Sequence, residues 1–307
     1  MKAVYATGTN YDDPLSVLEV GTMPEPETKP FWSTIRVNSA SVNHHDVWSL
    51  QGVGLSDEQT PMILGTDAAG VLEEDIPVRK GLKAGSEVVL YTFVGTDGAG
   101  VMPGERRSIL SERYAGTMAE YTQVPSANVF AKPANLNLDE AAALGTSWLT
   151  AYSLLFASAN VKPGDTVLIQ GAGGGVSTAA IQLAHAAGLE VFVTSRSEDK
   201  RARVLQLGAD AAFETGAPLL RPMSFLCNAV TDTVVSISCS VPRNSVSFLM
   251  GYSFPCHSMT SSRLPSSGYT LQNAACTLAD TLPQSRHICS PKPRQLFLII
   301  ASSRSVP

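Results

Sequence analysis

The chain has 307 residues, room for one or two domains at the usual size of roughly 100–200 residues each. Apolar residues make up 44%, enough to build a buried core, while charged residues are only 16%, against roughly 25% in typical soluble domains. A net charge of -5 argues against a nucleic-acid surface, which would be basic. No apolar run reaches the ~20 residues that span a bilayer. The opening MKAVYATGTNYDD lacks the apolar stretch of a secretory signal. The expectation is a soluble, cytoplasmic protein with a small-molecule substrate and neither nucleic acid nor membrane as partner.

The averages conceal a break after Ala217. Residues 1–217 hold 25 Asp and Glu, 15 Lys and Arg and no cysteine. Residues 218–307 hold only Asp232 and Asp280 as acids, seven bases and all five cysteines. The two parts are therefore read separately.

Residues 1–140 contain short apolar stretches between Gly, Pro and Asp turns: STIRVNSASVN (33–43), GVLEEDIPV (70–78), SEVVLYTFV (86–94) and GTMAEYTQV (116–124). That spacing predicts an all-β barrel or sandwich. Two segments could carry chemistry. VNHHDVW (42–48) places Asn43, His44, His45 and Asp46 in a row. Read as a strand, it turns the two imidazoles to opposite faces, so at most one could share a shell with Asp46. The alternative is one solvated and one partly buried histidine. PMILGTDAAG (61–70) reads as strand, turn and strand, with Gly65 and Gly70 flanking Thr66 and Asp67. Further on, Asn137 and Glu140 have capping-box spacing ahead of AAALGTSWLTAYSLLF, so a helix starts near Leu138.

Residues 161–213 carry the sharpest pattern. TVLIQ (166–170) and EVFVT (190–194) are buried parallel strands by length and β-branching. Between them lie a glycine turn and a helix with Val176, Ala180, Leu183 and Ala187 on one face, closed by Gly188. Ser197 caps a second helix, and DAAFE (210–214) begins a third strand. This β-α-β-α-β order is the first half of a doubly wound dinucleotide-binding domain. The turn Ala172-Gly173-Gly174-Gly175-Val176-Ser177 would bring backbone N–H groups against a pyrophosphate. About 20 residues later, where an acid would hold a ribose 2′-hydroxyl, the chain reads Thr194-Ser195-Arg196, with Lys200 following. Ser195, Arg196 and Lys200 suit a 2′-phosphate, favouring NADP(H) over NAD(H).

These motifs, in this order over about the first 70% of the chain, resemble the medium-chain dehydrogenase/reductase superfamily in its quinone oxidoreductase-like branch. The resemblance implies an α/β protein. It would have a GroES-like β-rich catalytic domain (1–140) and a Rossmann doubly wound domain, here incomplete (141–217). It also implies hydride transfer between NAD(P)H and a quinone, enone, enoyl or carbonyl acceptor, and a homodimer, which the missing later strands put in doubt. Zinc-dependent members carry Cys near the position of VNHHD and Gly-His-Glu where this chain has Gly65-Thr66-Asp67. With no cysteine before Cys227, no zinc is expected. By position, Asn43 would donate to the acceptor, Asp46 would orient neighbours, and His45 or Tyr91 would relay a proton. Thr150 matches the position beside the nicotinamide.

After Ala217 the pattern stops. Residues 218–307 read as an irregular or disordered tail, from a frameshift or mis-splicing; a divergent fold or a new cysteine module are the alternatives. Three functional outcomes follow: a zinc-independent reductase by descent, impaired in this form; a catalytically silent nucleotide-binding protein; or a non-functional product.

Overall fold

A computed structural model describes residues 1–77, 81–95, 107–216, 233–239, 253–255 and 296–301. Most of the tail's readings, four of its five cysteines included, lie outside these residues. The chain divides into two compact units, one formed by Met1–Thr150 and one beginning at Ala151.

The first unit is antiparallel. Strand β1 (Lys2–Ala6) pairs with β2 (Leu18–Thr22) on one side and β4 (Met62–Ile63) on the other. A five-stranded sheet is built from β3 (Trp32–Ser41), β5 (Asp67–Leu72), β6 (Glu87–Leu90), β9 (Tyr121–Pro125) and β10 (Val129–Ala131), in the order β10-β6-β5-β3-β9. Strands β7 (Phe93–Val94) and β8 (Ser108–Ile109) make a short ribbon. Ile35, Leu72, Val88, Leu90, Leu110 and Val124 form one core on this sheet, each contributing about 1.5–3 kcal/mol by leaving water. Ala6, Leu50, Leu55, Met62 and Leu64 form a second. The β-rich reading of this region holds.

VNHHDVW corrects one expectation. It is not a strand: α1 runs from His44 to Leu50, because the Asn43 N–H donates to the Asp46 carboxylate at 2.7 Å and starts a helix at that point. Adjacent helical side chains diverge by about 100°, so the outcome still matches the alternative weighed above. His44 is exposed and His45 largely covered. Helix α2 (Leu138–Ala142) begins where its capping box predicts, with Asn137 Oδ1 accepting from Glu140 N at 2.9 Å. It does not continue as a regular helix. A π-turn at Leu144–Trp148, helix α3 (Leu149–Tyr152) and a second π-turn at Ser153–Ser158 follow.

The second unit is parallel. Strand β11 (Thr166–Gln170), α4 (Gly175–Ala186), β12 (Glu190–Thr194), α5 (Glu198–Gln206) and β13 (Ala211–Phe213) follow the expected order. β12 pairs in parallel with both β11 and β13. Val167, Ile169, Val191 and Val193 are fully buried, as strands covered on both faces require. The buried residues of α4 are Ser177, Ala179, Ala180, Ile181 and Ala184. Of the predicted Val176, Ala180, Leu183 and Ala187, only Ala180 is fully buried and the other three are half-buried. Three tail segments are also strands: β14 (Thr233–Cys239), β15 (Ser253–Pro255) and β16 (Leu296–Ala301). The sheet order is β13-β12-β11-β16-β14-β15, with β16 parallel to β11 over five residues. An edge the sequence leaves open is thus covered by LFLIIA, an apolar, β-branched run that fits a buried strand without any family motif. Among the described residues, no helix is long and apolar enough to cross a membrane.

Candidate active site

The first unit gathers a polar cluster from three separate segments. Asp67, on β5, is fully buried, so its carboxyl group needs partners. It has three. Ser41 Oγ, at the end of β3, donates to Oδ2 at 2.8 Å, Asn43 Nδ2 to Oδ2 at 2.9 Å, and Thr146 Oγ1 to Oδ1 at 2.5 Å. Thr66 Oγ1 lies 2.9 Å from Thr146 Oγ1, and Ser147 Oγ donates to Asn43 Oδ1 at 3.3 Å. The π-turn brings Thr146 and Ser147 into this group; such turns often mark functional sites. It is packed closely at Gly145, where an added Cβ would lie 2.7 Å from Asp67 Oδ1 and force a shift.

Asp46 supports the cluster from α1. Its two oxygens accept the backbone N–H groups of Asn43 and Gly65, the latter at 3.1 Å. Burial pushes both Asp46 and Asp67 above the ordinary carboxylate value of 3.8. Hydrogen bonds to the charged forms oppose this, and Asp46 adds like-charge repulsion to Asp67.

The expected catalytic residues are only partly brought together. Asn43 and Asp46 belong to the cluster. The Asn43 amide nitrogen, however, is occupied inside it, also lying 3.2 Å from Ser41 Oγ and Thr66 Oγ1. His45 turns elsewhere. Its Nε2 lies 3.1 Å from Glu112 Oε1, and its Nδ1 faces Ser111 and Ser49 at 3.4 and 3.5 Å. Tyr91 packs on Phe93, with ring centres 5.9 Å apart, and its backbone pairs with Asn128. Sequence reasoning singled out the PMILGTDAAG segment that holds Thr66 and Asp67 but gave neither residue a role, and it missed Ser41, Thr146 and Ser147. The available signal was Asp67 itself, an acid inside the apolar run MILGTDAAGVL.

In the second unit the glycine turn sits between β11 and α4. Gly171 and Gly173 take positive φ of 92° and 88°, a conformation only glycine adopts without strain. Gly174 caps α4, leaving the first-turn N–H groups free for an anion. Ala172 is half-buried, Gly173, Gly174 and Gly175 are exposed, Val176 is half-buried, and Ser177 faces the sheet. The Lys200 side chain lies over the turn, its Cδ 3.2 Å from where a Gly173 Cβ would stand. Thr194 and Ser195 are buried. Ser195 Oγ accepts from Ser197 N at 3.3 Å, and Arg201, not foreseen in the sequence, donates to the Ser195 carbonyl at 2.7 Å. Arg196 is exposed. Thr150, in α3, is half-buried and belongs to the first unit.

Two groups implied by the resemblance can be tested against these side chains. A dinucleotide fits the turn, since a Cβ at Gly173 would fill the space beside Lys200. Zinc does not fit the cluster. Its carboxylate oxygens already accept hydrogen bonds, and it offers hydroxyls and an amide in place of thiolate or imidazole. Among the described residues, no group of three or more His, Cys, Asp or Glu side chains is placed to hold a metal.

Comparison with known proteins agrees with this architecture. The alcohol dehydrogenase GroES-like domain matches residues 29–134, and the zinc-binding dehydrogenase family matches 175–244, running beyond Ala217. Quinone oxidoreductase of Pongo abelii is 32% identical over 188 residues, covering 61% of this chain and 51% of the relative. Crotonyl-CoA reductase of Streptomyces avermitilis is 32% identical over 234 residues, covering 68% of this chain and 53% of the relative. The chain thus spans about half the length of the curated relatives it matches. The crystal structure of an NAD-dependent alcohol dehydrogenase is similar with a TM-score of 0.66 and 35% identity, over 78% of this chain and 70% of that one. Matched in both its β-rich and its nucleotide-binding parts, the chain belongs to the medium-chain dehydrogenase/reductase superfamily.

Proposed function

We propose that the chain is a zinc-independent, NADP(H)-dependent reductase acting on a quinone, enone, enoyl or carbonyl small molecule. The observation that carries the reading is the glycine turn at the N-terminus of α4 with Lys200 lying over Gly173. It joins backbone donors for a pyrophosphate to a cation, and the end of β12 offers Arg196 with no carboxylate in Thr194-Ser195-Arg196. Relatives of similar sequence are a quinone oxidoreductase and a crotonyl-CoA reductase, which supports the acceptor class.

When bound, the nicotinamide supplies hydride to the acceptor. The chain's own residues do the rest. First-turn N–H groups of α4 would hold the pyrophosphate, and Lys200 and Arg196 would neutralise a 2′-phosphate. In the first unit, Thr146 and Ser147 supply the half-buried hydroxyls of the proposed acceptor site; Thr146 gives its hydrogen to Asp67 and Ser147 gives its hydrogen to Asn43, so a hydroxyl must release that bond before it donates to an acceptor oxygen.

Fluorescence titration with NADPH and NADH tests the cofactor. Tighter NADPH binding is expected, and equal or tighter NADH binding would overturn the assignment. NADPH oxidation with quinones and enones tests the reaction. A second reading, nucleotide binding without turnover, is favoured by one observation: the Asn43 cluster satisfies its own donors. NADPH binding without oxidation of NADPH in the presence of any acceptor would select it.

A further inference from the structure

The ionised Asp67 carboxylate can only accept hydrogen bonds. It therefore forces the Asn43 amide nitrogen inward, at 2.9 Å, and leaves Asn43 Oδ1 facing Ser147. In that arrangement the Ser147 hydrogen is used on Asn43, at 3.3 Å. A proton on Asp67 Oδ2 reverses the requirement. The carboxyl group then has a hydrogen to donate, and a half-turn of the Asn43 amide brings Oδ1 inward to accept it. The amide nitrogen then faces Ser147, which becomes an acceptor, and its own hydrogen is released to point elsewhere.

We propose that Asp67 is a positioning residue: through Asn43, its proton decides whether the Ser147 hydroxyl is held inside the cluster or free to donate to a bound acceptor. The inference rests on the reading of this cluster as the acceptor site. No bond is made or broken in it; one proton resides on Asp67 or returns to solvent by way of half-buried Ser41. Burial of Asp67 favours the protonated form, and Asp46 on α1 favours it further by charge. The other groups packed around Asp67 are uncharged: Ser41 from β3, Thr146 and Gly145 from the π-turn, and Thr117, whose hydroxyl donates to the Asp67 backbone carbonyl at 2.8 Å. His45, next to Asp46, is the remaining titratable neighbour.

The test follows the Asn43 side-chain amide by nitrogen-15 NMR against pH in the full chain. The resonance is expected to move in one step centred above the ordinary carboxylate value of 3.8, and to stay flat over that range in Asp67→Asn. A flat wild-type signal, or the same step in the variant, would overturn the proposal. Ser41→Ala provides a second check should Asp67→Asn fail to fold. It removes one donor to the charged form and should move the step to higher pH; an unmoved step overturns the proposal equally. In turnover, Asp67→Asn keeps a hydrogen-bond donor at this position at every pH, so it should hold Ser147 in the released state and remove the corresponding limb of the pH profile; a limb that persists in the variant overturns the proposal. If no chain oxidises NADPH while the amide step persists, the reductase reading fails and the positioning role stands.

Discussion

The two units place function at different levels of the polypeptide. In the first, the candidate chemistry lies in side chains drawn from β3, β5, α1 and the π-turn, as the Ser41–Asp67 and Thr146–Asp67 bonds show. In the second it lies in the backbone, in a turn of consecutive residues between β11 and α4. A backbone site depends on φ and helix ends, and so on local sequence. A side-chain site depends on sheet register: Ser41 faces Asp67 across the β3–β5 ladder, a pairing that only the folded sheet defines.

Substitutions can sharpen that contrast. Ile35→Ala and Ile169→Ala, both at fully buried positions, one in each unit, should cost about 2–5 kcal/mol in denaturant unfolding. The three tryptophans, Trp32, Trp48 and Trp148, all lie in the first unit, so their fluorescence reports Ile35→Ala directly. Gly145→Ala should cost about 1–3 kcal/mol, because the added methyl group overpacks against Asp67. A cost near zero would break the claim that the π-turn fits tightly around the carboxyl group. Lys200→Ala acts on the other unit. It should weaken NADPH about tenfold, in line with roughly 1.5 kcal/mol for a charged hydrogen bond, and leave NADH nearly unchanged; equal weakening of both would move Lys200 from the 2′-phosphate to the pyrophosphate.

The smallest effect is on pH. Asp46 and Asp67 have raised values in the fold, so the folded chain binds protons that the unfolded chain releases. Their stabilising contribution is complete below 3.8 and is lost as pH rises through the raised values. The tryptophan-detected midpoint should therefore gain from these two groups on acidification toward that value. Asp67→Asn should flatten this dependence, and an unchanged slope would contradict the burial of a titrating carboxyl group.

What was legible follows the same division. TVLIQ and EVFVT mark β11 and β12 to the residue, and the Asn137–Glu140 pair marks the start of α2. Each is a local pattern. The segments holding Asn43 and Asp67 stood out, but their convergence with Thr146 was not legible, because the three come from distant parts of the chain. VNHHDVW was misjudged because period-two alternation was given more weight than the Asn43–Asp46 capping pair. The π-turns left no sequence signal beyond Gly145. The tail strands were missed because an apolar run without turns or motifs does not reveal its partner.

The pairing of β16 with β11 also has a consequence for how the protein is made. Thr166 finds its neighbour Leu296 about 130 residues later, a separation that slows folding because the intervening loop must close first. On the ribosome, which adds roughly 5–20 residues per second, the first unit can fold while β11 still waits with one edge unpaired. That exposed strand, apolar on both faces, is where a chaperone or a second nascent chain would find this polypeptide most vulnerable to mispairing.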